Sequence, residues 1–530
     1  MTRYFRICYT SDTHGHIFPV DYATGKEKNC GLLNMAVDFA DDAWARSAVR
    51  VPQDAPMPRL VMDGGDTLQG TPYSQMFIGG DLSSADAEAV TGLPHPIATA
   101  FNAAGYEFVT LGNHDFNYGA EPMKRYLDAL DATCVCANVR DLTGELPIRR
   151  YAFKDLPNGI RLGITGLVTD WVNVWEDKRH LTHLEVTDTW QAAQEMNEFL
   201  KDKCDISICI YHGGYERDVH TGEQLADTTE NRAWQIAHDL DFDLLLSGHQ
   251  HISMAGADIN GTVTVQTCNT AVEYAELACA VDDNGKLTTE TKLTPVGSKH
   301  NEEPYATLSE YERRTRLWID HPVGSLTRPI APQSHIDAAL HGNAVAALFN
   351  AVQLDVSGAR VSCASIADTN ISVPANVSRR NVFQIYPFAN SLAVLSVTRD
   401  ALKGALERCA SYFDLEHGVP VVSERFLKPK VEHYNYDYFA GISYTFDLSR
   451  PLGDRVVNMK FSDGSDIPDN EPIELVCNSY RATGTGGYEM LAQCPTARII
   501  DKEMPDLIIS YLREHAPVDL EPNGGPHVIW

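Results

Sequence analysis

The sequence is short of positive charge. Its 530 residues carry 43 Lys and Arg against 72 Asp and Glu, a formal net charge of -29 at pH 7. Proteins that track nucleic-acid backbones neutralise phosphates with a basic surface, so a nucleic-acid polymer is not an expected partner. An anionic ligand would need bound cations or local arginines to overcome this field. Cysteine is sparse as well, at 12 residues, too few for a disulfide scaffold. Cys8, Cys134, Cys136, Cys209, Cys279 and Cys477 lie in apolar strand-like runs and read as core thiols. Cys134-x-Cys136 lacks the two-residue gap of zinc knuckles and redox motifs. No run approaches the roughly 18 apolar residues of a membrane-spanning helix. The strand-like segment Tyr4-Phe5-Arg6-Ile7-Cys8-Tyr9 leaves no room ahead of it for a secretory leader. A cytoplasmic protein without a membrane partner is the expectation. Internal repeats and low-complexity tracts are also missing.

What is present is ordinary globular material, 44% hydrophobic and 22% charged. The length suits two to four domains at roughly 100–200 residues each. Up to about residue 295, strand-like runs at 5–10, 60–62, 108–111, 133–137, 162–168, 206–211 and 243–246 alternate with helical patterns at 32–48, 96–104, 121–130, 187–203 and 231–239. Such alternation predicts an α/β layered domain. Strands at 263–267 and 275–281, followed by the turn Asp282-Asp283-Asn284-Gly285, predict a closing hairpin. The polar stretch 293–304 reads as a linker and 305–319 as a charged bridging helix. A helix at 336–352 opens a second α/β segment, with strands at 361–364, 392–397, 442–446 and 473–477 and a closing helix at 506–515. The expected division is a first domain over 1–295, a linker with its bridging helix over 296–325, and a second domain over 326–530.

Five segments share one placement, each following an apolar strand and each supplying metal-ligating side chains. They are Asp12-x-His14, Gly64-Gly65-Asp66, Gly112-Asn113-His114-Asp115, His212, and Gly248-His249-Gln250-His251. In open α/β sheets ligands bind outside the carboxyl ends of the strands, where such loops converge. A single histidine after a strand is more often a hydrogen-bonded structural residue, and a single Gly-Asp is usually a turn. Five together are not accounted for that way. Imidazole and carboxylate suit divalent Mn, Zn, Fe or Co. Seven ligands exceed one tetrahedral ion and fit two ions sharing a carboxylate.

Asp12-Thr13-His14-Gly15, Gly64-Gly65-Asp66-Thr67, Gly112-Asn113-His114-Asp115-Phe116 and Gly248-His249-Gln250-His251 resemble the motif set of calcineurin-like metallophosphoesterases. Within that group the chain is similar to bacterial two-domain 5'-nucleotidases and 2',3'-cyclic-nucleotide phosphodiesterases. The segments Asn381-Val382-Phe383-Gln384-Ile385-Tyr386-Pro387-Phe388-Ala389-Asn390 and Asn478-Ser479-Tyr480-Arg481-Ala482-Thr483-Gly484 resemble their C-terminal nucleotide-binding domain. The resemblance implies a four-layer αββα metallophosphoesterase domain followed by a smaller α/β nucleotide-binding domain. It implies Asp12, His14 and His251 on one metal ion, Asn113, His212 and His249 on a second, and Asp66 bridging them. His114 stands at the catalytic histidine position, with Asp115 and Asn117 in the same loop. Many 5'-nucleotidases of this kind have Asp where this chain has Asn117, and Gln where it has His251; the Asn117 loop looks more like the cyclic-phosphodiesterase branch. Tyr480 matches a base-stacking position, with Tyr434 or Phe439 as its partner. Read from the residues alone, Arg379 and Arg380 suit phosphate or the distal part of a substrate, and surface charge accounts for them equally well. The implied activity is hydrolysis of small nucleotides, with 2',3'-cyclic nucleotides and nucleoside 3'-phosphates ahead of a 5'-nucleotidase with UDP-sugar hydrolase activity.

Overall fold

The computed structural model describes residues 2–80, 83–176, 178–225, 229–368, 371–387, 390–428, 431–469, 471–500, 502–520 and 526–530. Phe388 and Ala389 of the quoted C-terminal motif lie outside the described residues. The chain divides into two compact units, Met1–Leu317 and Trp318–Trp530.

The first unit is built on two sheets. A seven-stranded sheet runs Leu287–Pro295, Glu273–Val281, Arg3–Thr10, Arg59–Asp63, Phe108–Val109, Thr133–Val135, Ile148–Arg149. A six-stranded sheet runs Met254–Ile259, Thr262–Gln266, Leu244–Ser247, Ile206–His212, Arg161–Val168, Tyr151–Asp155. Alternation along the strands explains why they stack. Ile7, Leu60, Met62 and Leu277 of one sheet share a core with Leu162, Ile164, Ile208, Ile210, Leu244 and Leu246 of the other. Each such side chain contributes about 1.5–3 kcal/mol on burial. The intervening residues Leu167, Cys209, Tyr211 and Leu245 point the other way, onto the helices Thr189–Leu200 and Ala233–Asp239. On the far face of the first sheet, Ala278 packs with Ala45 of the helix Ala43–Ala48. Helix, sheet, sheet and helix form the four layers that the motifs imply. The closing hairpin forms as expected, with Glu273 opposite Pro295 and Val281 opposite Leu287.

Two predicted helices are each split in the structure. The pattern at 32–48 becomes Leu32–Asp38 and Ala43–Ala48, because the Asp41 carboxylate accepts from Ala43 N at 3.0 Å and starts a new helix there. The pattern at 336–352 becomes His335–His341 and Ala344–Ser357. Gly342 breaks it, and Asn343 Oδ1 caps Val345 N and Ala346 N at 2.8 and 3.1 Å. The stretch read as a linker contributes its first residues to the strand Leu287–Pro295, and the helix Glu302–Ile319 starts soon after. That helix is held within the first unit by Tyr311 Oη to Pro94 O (3.0 Å), Tyr22 Oη to Glu312 Oε2 (2.6 Å) and Arg314 to Asp86 (3.1 Å).

The second unit has a five-stranded mixed sheet in the order Asp437–Ala440, Val361–Ser365, Ile473–Asn478, Leu392–Val397, Thr496–Ile500. The helix Ala344–Ser357 buries Leu348, Phe349 and Val352 in its core. A three-stranded sheet of Val456–Phe461, Ile442–Asp447 and His527–Ile529 completes it. Among the described residues no helix is long and apolar enough to cross a membrane, and all twelve cysteines are free thiols.

Candidate metal centre

Parallel pairing brings the five segments together. Thr10 lies opposite Asp63, and Asp63 opposite Val109, so the loops after three neighbouring strands start at one level. In the other sheet Val168 is level with His212, and Tyr211 with Ser247. Backbone hydrogen bonds then zip the loops: Gly64 N to Thr10 O (2.7 Å), Asp12 N to Gly65 O (2.9 Å) and His14 N to Asp66 O (2.9 Å). Gly65 adopts φ +89°, and a Cβ there would lie 2.2 Å from Gly112 N. Only glycine permits that approach.

Two donor sets result. Asp12, His14, Asp66 and His251 form one group with ligand atoms within 4.8 Å of one another, and Asp66, His212 and His249 form a second. Asp66 belongs to both. Its Oδ1 accepts from His114 N at 2.8 Å, while Oδ2 lies 3.2 Å from His212 Nε2 and 3.9 Å from His14 Nε2. His251 Nε2 stands 3.3 Å from Asp12 Oδ1 and 3.1 Å from His14 Nε2.

The imidazoles are aimed by their second nitrogens. His14 Nδ1 faces Gln69 O at 3.0 Å and His212 Nδ1 faces Gly64 O at 2.7 Å. A carbonyl only accepts, so hydrogen sits on Nδ1 and Nε2 is turned into the cluster. His212 Nε2 and Asn113 Oδ1 are buried without a hydrogen-bond partner; the 3.2 Å approach of His212 to Asp66 lacks hydrogen-bond geometry. Buried polar atoms are almost always satisfied, so two orphans at one centre mark a place for a ligand. The backbone agrees. Asp12, His14, Asp66, His249 and His251 have φ of +56°, +48°, +56°, +76° and +57°. This left-handed region is rarely used by residues other than glycine, and it persists at functional sites because the surroundings enforce it.

Electrostatics follow the same plan. Burial drives the His14 imidazole down to about 3, leaving it neutral. Burial also acts against a charged His212, but the Asp66 and Asp12 carboxylates outweigh it and hold that ring up at about 10. For Asp66 burial opposes ionisation, and the neighbouring histidines, His212 first, overcome it and keep the carboxyl well below its usual range. The donor set is imidazole, carboxylate and amide oxygen at strand ends, and it fits divalent cations, which would displace the proton that the two carboxylates favour on His212.

The structure places the remaining expected residues as follows. His114 is half-buried beside His14, ring centroids 5.6 Å apart, with Nδ1 2.7 Å from Asn117 Oδ1. Asp115 does not face the cluster. Its two oxygens accept from Gly112, Asp66, Thr67 and Leu68 backbone N–H groups at 2.8–3.0 Å, tying the Asp66 loop to the His114 loop. In the second unit Tyr434 and Tyr480 meet edge to face, centroids 6.5 Å apart. Phe439 is buried in the strand Asp437–Ala440 and packs on Tyr444 in the core, away from that pair. Arg379 stacks on Trp318 at 4.0 Å and Arg380 pairs with Asp320.

Three residues near the centre had no signal in the sequence. Glu230 Oε1 lies 3.0 Å from His249 Nε2, Trp175 stacks on the His249 ring at 5.5 Å, and Glu176 bonds Asn117. None belongs to a motif or follows an apolar strand directly; only folding brings them in.

Comparison with known proteins gives a family for both parts of the chain. Residues 5–253 match the calcineurin-like phosphoesterase family and residues 322–493 the 5'-nucleotidase C-terminal domain. A trifunctional nucleotide phosphoesterase of Bacillus subtilis, YfkN, is 23% identical over 97% of this chain and 38% of its own length. A 2',3'-cyclic-nucleotide 2'-phosphodiesterase/3'-nucleotidase of Salmonella typhimurium is 22% identical over 90% of this chain and 81% of its own. Thus the chain spans little more than a third of the first relative and most of the second. A Staphylococcus aureus protein assigned as a 5'-nucleotidase, solved with alpha-ketoglutarate, has 28% identity and a TM-score of 0.73, covering 99% of both chains. Fold and site define a metal-dependent phosphoester hydrolase. The chain belongs to the calcineurin-like phosphoesterases that carry a 5'-nucleotidase C-terminal domain.

Proposed function

We propose that this protein hydrolyses small nucleotides at a two-ion centre, acting on 2',3'-cyclic nucleotides and nucleoside 3'-phosphates. The observation that carries the reading is the pair of donor sets sharing Asp66. Asp12, His14 and His251 would hold one divalent ion and Asn113, His212 and His249 the other, with Asp66 common to both. Bound there, Mn, Zn, Fe or Co supplies Lewis-acid polarisation of the phosphoester and a nucleophile drawn from water near neutral pH.

The chain's own residues position and neutralise. Gln69 O and Gly64 O fix the His14 and His212 rings, and Asp115 fixes the loop that carries Asp66. His114 is held by its backbone N–H on Asp66 and by Nδ1 on Asn117, and its Nε2 would meet a phosphoryl or leaving-group oxygen. In the second unit Tyr480, with Tyr434, offers a stacking face for the base. Arg481 beneath them is buried and paired with Asp437 at 2.7 Å, so its charge serves the platform.

The preference for cyclic and 3'-substrates is supported by Asn117 in the catalytic loop and by the name of the Salmonella relative. The likeness to the Staphylococcus protein favours a second reading, a 5'-nucleotidase. Steady-state hydrolysis of 2',3'-cyclic AMP, 3'-AMP, 5'-AMP and UDP-glucose after loading with Mn²⁺ decides between them. We expect kcat/KM for the cyclic nucleotide to exceed that for 5'-AMP by at least about tenfold, a difference of about 1.4 kcal/mol in transition-state binding. The reverse order selects the 5'-nucleotidase.

A further inference from the structure

Behind the His114 loop lies a buried carboxylate that the metal chemistry does not use. Glu176 follows the short helix Val172–Trp175, and its side chain is 3% exposed. Its Oε2 accepts from Asn117 Nδ2 at 2.8 Å, and its Oε1 faces His180 Nδ1 at 2.6 Å. On the other side, Asn117 Oδ1 faces His114 Nδ1 at 2.7 Å. The four side chains form one line from a half-exposed histidine to the catalytic one.

Donor and acceptor rules fix the direction of this line. An ionised carboxylate only accepts, so the NH₂ end of Asn117 must turn toward Glu176. The amide carbonyl is then left toward His114 and can only accept. The hydrogen of neutral His114 must therefore sit on Nδ1, which leaves Nε2 with its lone pair for the substrate side. An asparagine alone imposes no such choice, because its two ends are nearly the same shape and either could face the ring.

We propose that Glu176 is a positioning residue that sets the orientation of the Asn117 amide and, through it, which nitrogen of His114 carries hydrogen, with His180 holding the other carboxylate oxygen. This rests on the reading of His114 as the group that meets the phosphoester. The negative charge stands one amide behind the ring, where it orients the imidazole without contacting it.

The test exchanges the order of the groups. Asn117→Asp sets two acceptor-only carboxylates face to face and should lower kcat/KM by about 50-fold, within the range known for outer-shell partners. Adding Glu176→Gln restores an alternating chain, in which the new amide donates to the new carboxylate and that carboxylate accepts from His114 Nδ1. The double variant should recover to within about fivefold of wild type, with unchanged metal content. A double variant no better than Asn117→Asp overturns the proposal, because a merely structural Glu176 predicts additive losses. A second measurement needs neither turnover nor metal. In ¹⁵N-histidine-labelled, metal-free protein at about pH 8.5, above the usual imidazole range, wild-type His114 should carry hydrogen on Nδ1. Glu176→Leu should give a mixture of both tautomers. Hydrogen on Nε2 in the wild type sinks the idea whatever the activity. Absent wild-type turnover with every phosphoester would refute the functional reading alone and leave the spectrum to decide this one.

Discussion

The surroundings of Arg481 in the second unit and the donor cluster of the first treat buried charge in opposite ways. In the second, Arg481 is almost wholly buried and every direction around it is answered. It donates to both oxygens of Asp437 at 2.7 and 2.9 Å, to Tyr434 O at 3.0 Å and to Thr485 O at 2.7 Å, and it lies over the Tyr488 ring at 4.0 Å. In the first, the Asp12, Asp66 and His212 side chains are equally buried, yet His212 Nε2 and Asn113 Oδ1 have no hydrogen-bond partner, and five candidate ligands sit on left-handed backbone. A closed polar network stabilises a loop; an open one, held in a costly conformation, is prepared for something the chain does not itself supply. The difference locates chemistry without reference to any relative.

This contrast can be broken most severely at its shared member. Asp66→Asn weakens both donor sets at once, and kcat/KM should fall by roughly a thousandfold or more as the electrostatic stabilisation of the phosphoryl group is lost. Metal content by elemental analysis should fall with it, and an unchanged content would show that the two sets do not share Asp66. Next in size, Arg481→Ala leaves Asp437 buried and unpaired and should destabilise the second unit by about 3–5 kcal/mol in denaturant unfolding. Metal content should stay as in wild type, since the donor sets lie in the first unit.

A smaller effect is expected at the ring above that arginine. Tyr480→Ala removes a stacking face worth about 1–3 kcal/mol. KM for nucleotides should rise about tenfold, with kcat and hydrolysis of a base-free phosphodiester little changed. An equal loss on the base-free ester would remove Tyr480 from base recognition. The mildest test concerns Asp63, whose carboxyl is driven up to about 7 by burial. Its folded-state value lies above the ~3.9 of an unfolded chain. The stability it contributes is therefore complete below about pH 4 and is lost as pH rises to about 7. In metal-free protein Asp63→Asn should flatten that part of the pH dependence of the urea midpoint; an unchanged slope would show that Asp63 is ionised throughout.

The donor sets were legible because each candidate ligand stands at or within a few residues of its strand's end, so an apolar run that stops at Asp-x-His or Gly-Asn-His already fixes where the side chain emerges. Asp115 shows the limit of that reading. It shares the motif, but the backbone N–H groups of the neighbouring loop claim both its oxygens. Glu176, Glu230 and Trp175 could not be read, because they reach the centre through tertiary packing and carry no local pattern. Phe439 was misleading for a related reason. In the aromatic run Tyr434-Asn435-Tyr436-Asp437-Tyr438-Phe439, Tyr436, Tyr438 and Phe439 all enter the core, and composition does not separate them from Tyr434. Helix existence was readable from periodicity, but the breaks at Asp41 and Asn343 depend on side-chain hydrogen bonds to backbone N–H groups that compete with the apolar pattern.

The pairing of Arg3–Thr10 with both Arg59–Asp63 and Glu273–Val281 also has a meaning in time. The first strand waits inside its sheet for a neighbour encoded some 270 residues later, where Arg3 meets Val281. At about 5–20 residues per second of synthesis, Asp12 and His14 leave the ribosome roughly tens of seconds before His249 and His251 exist. During that interval the sheet has an open edge and the donor sets are incomplete. A cell that makes this enzyme must keep that edge from pairing elsewhere until the closing hairpin arrives.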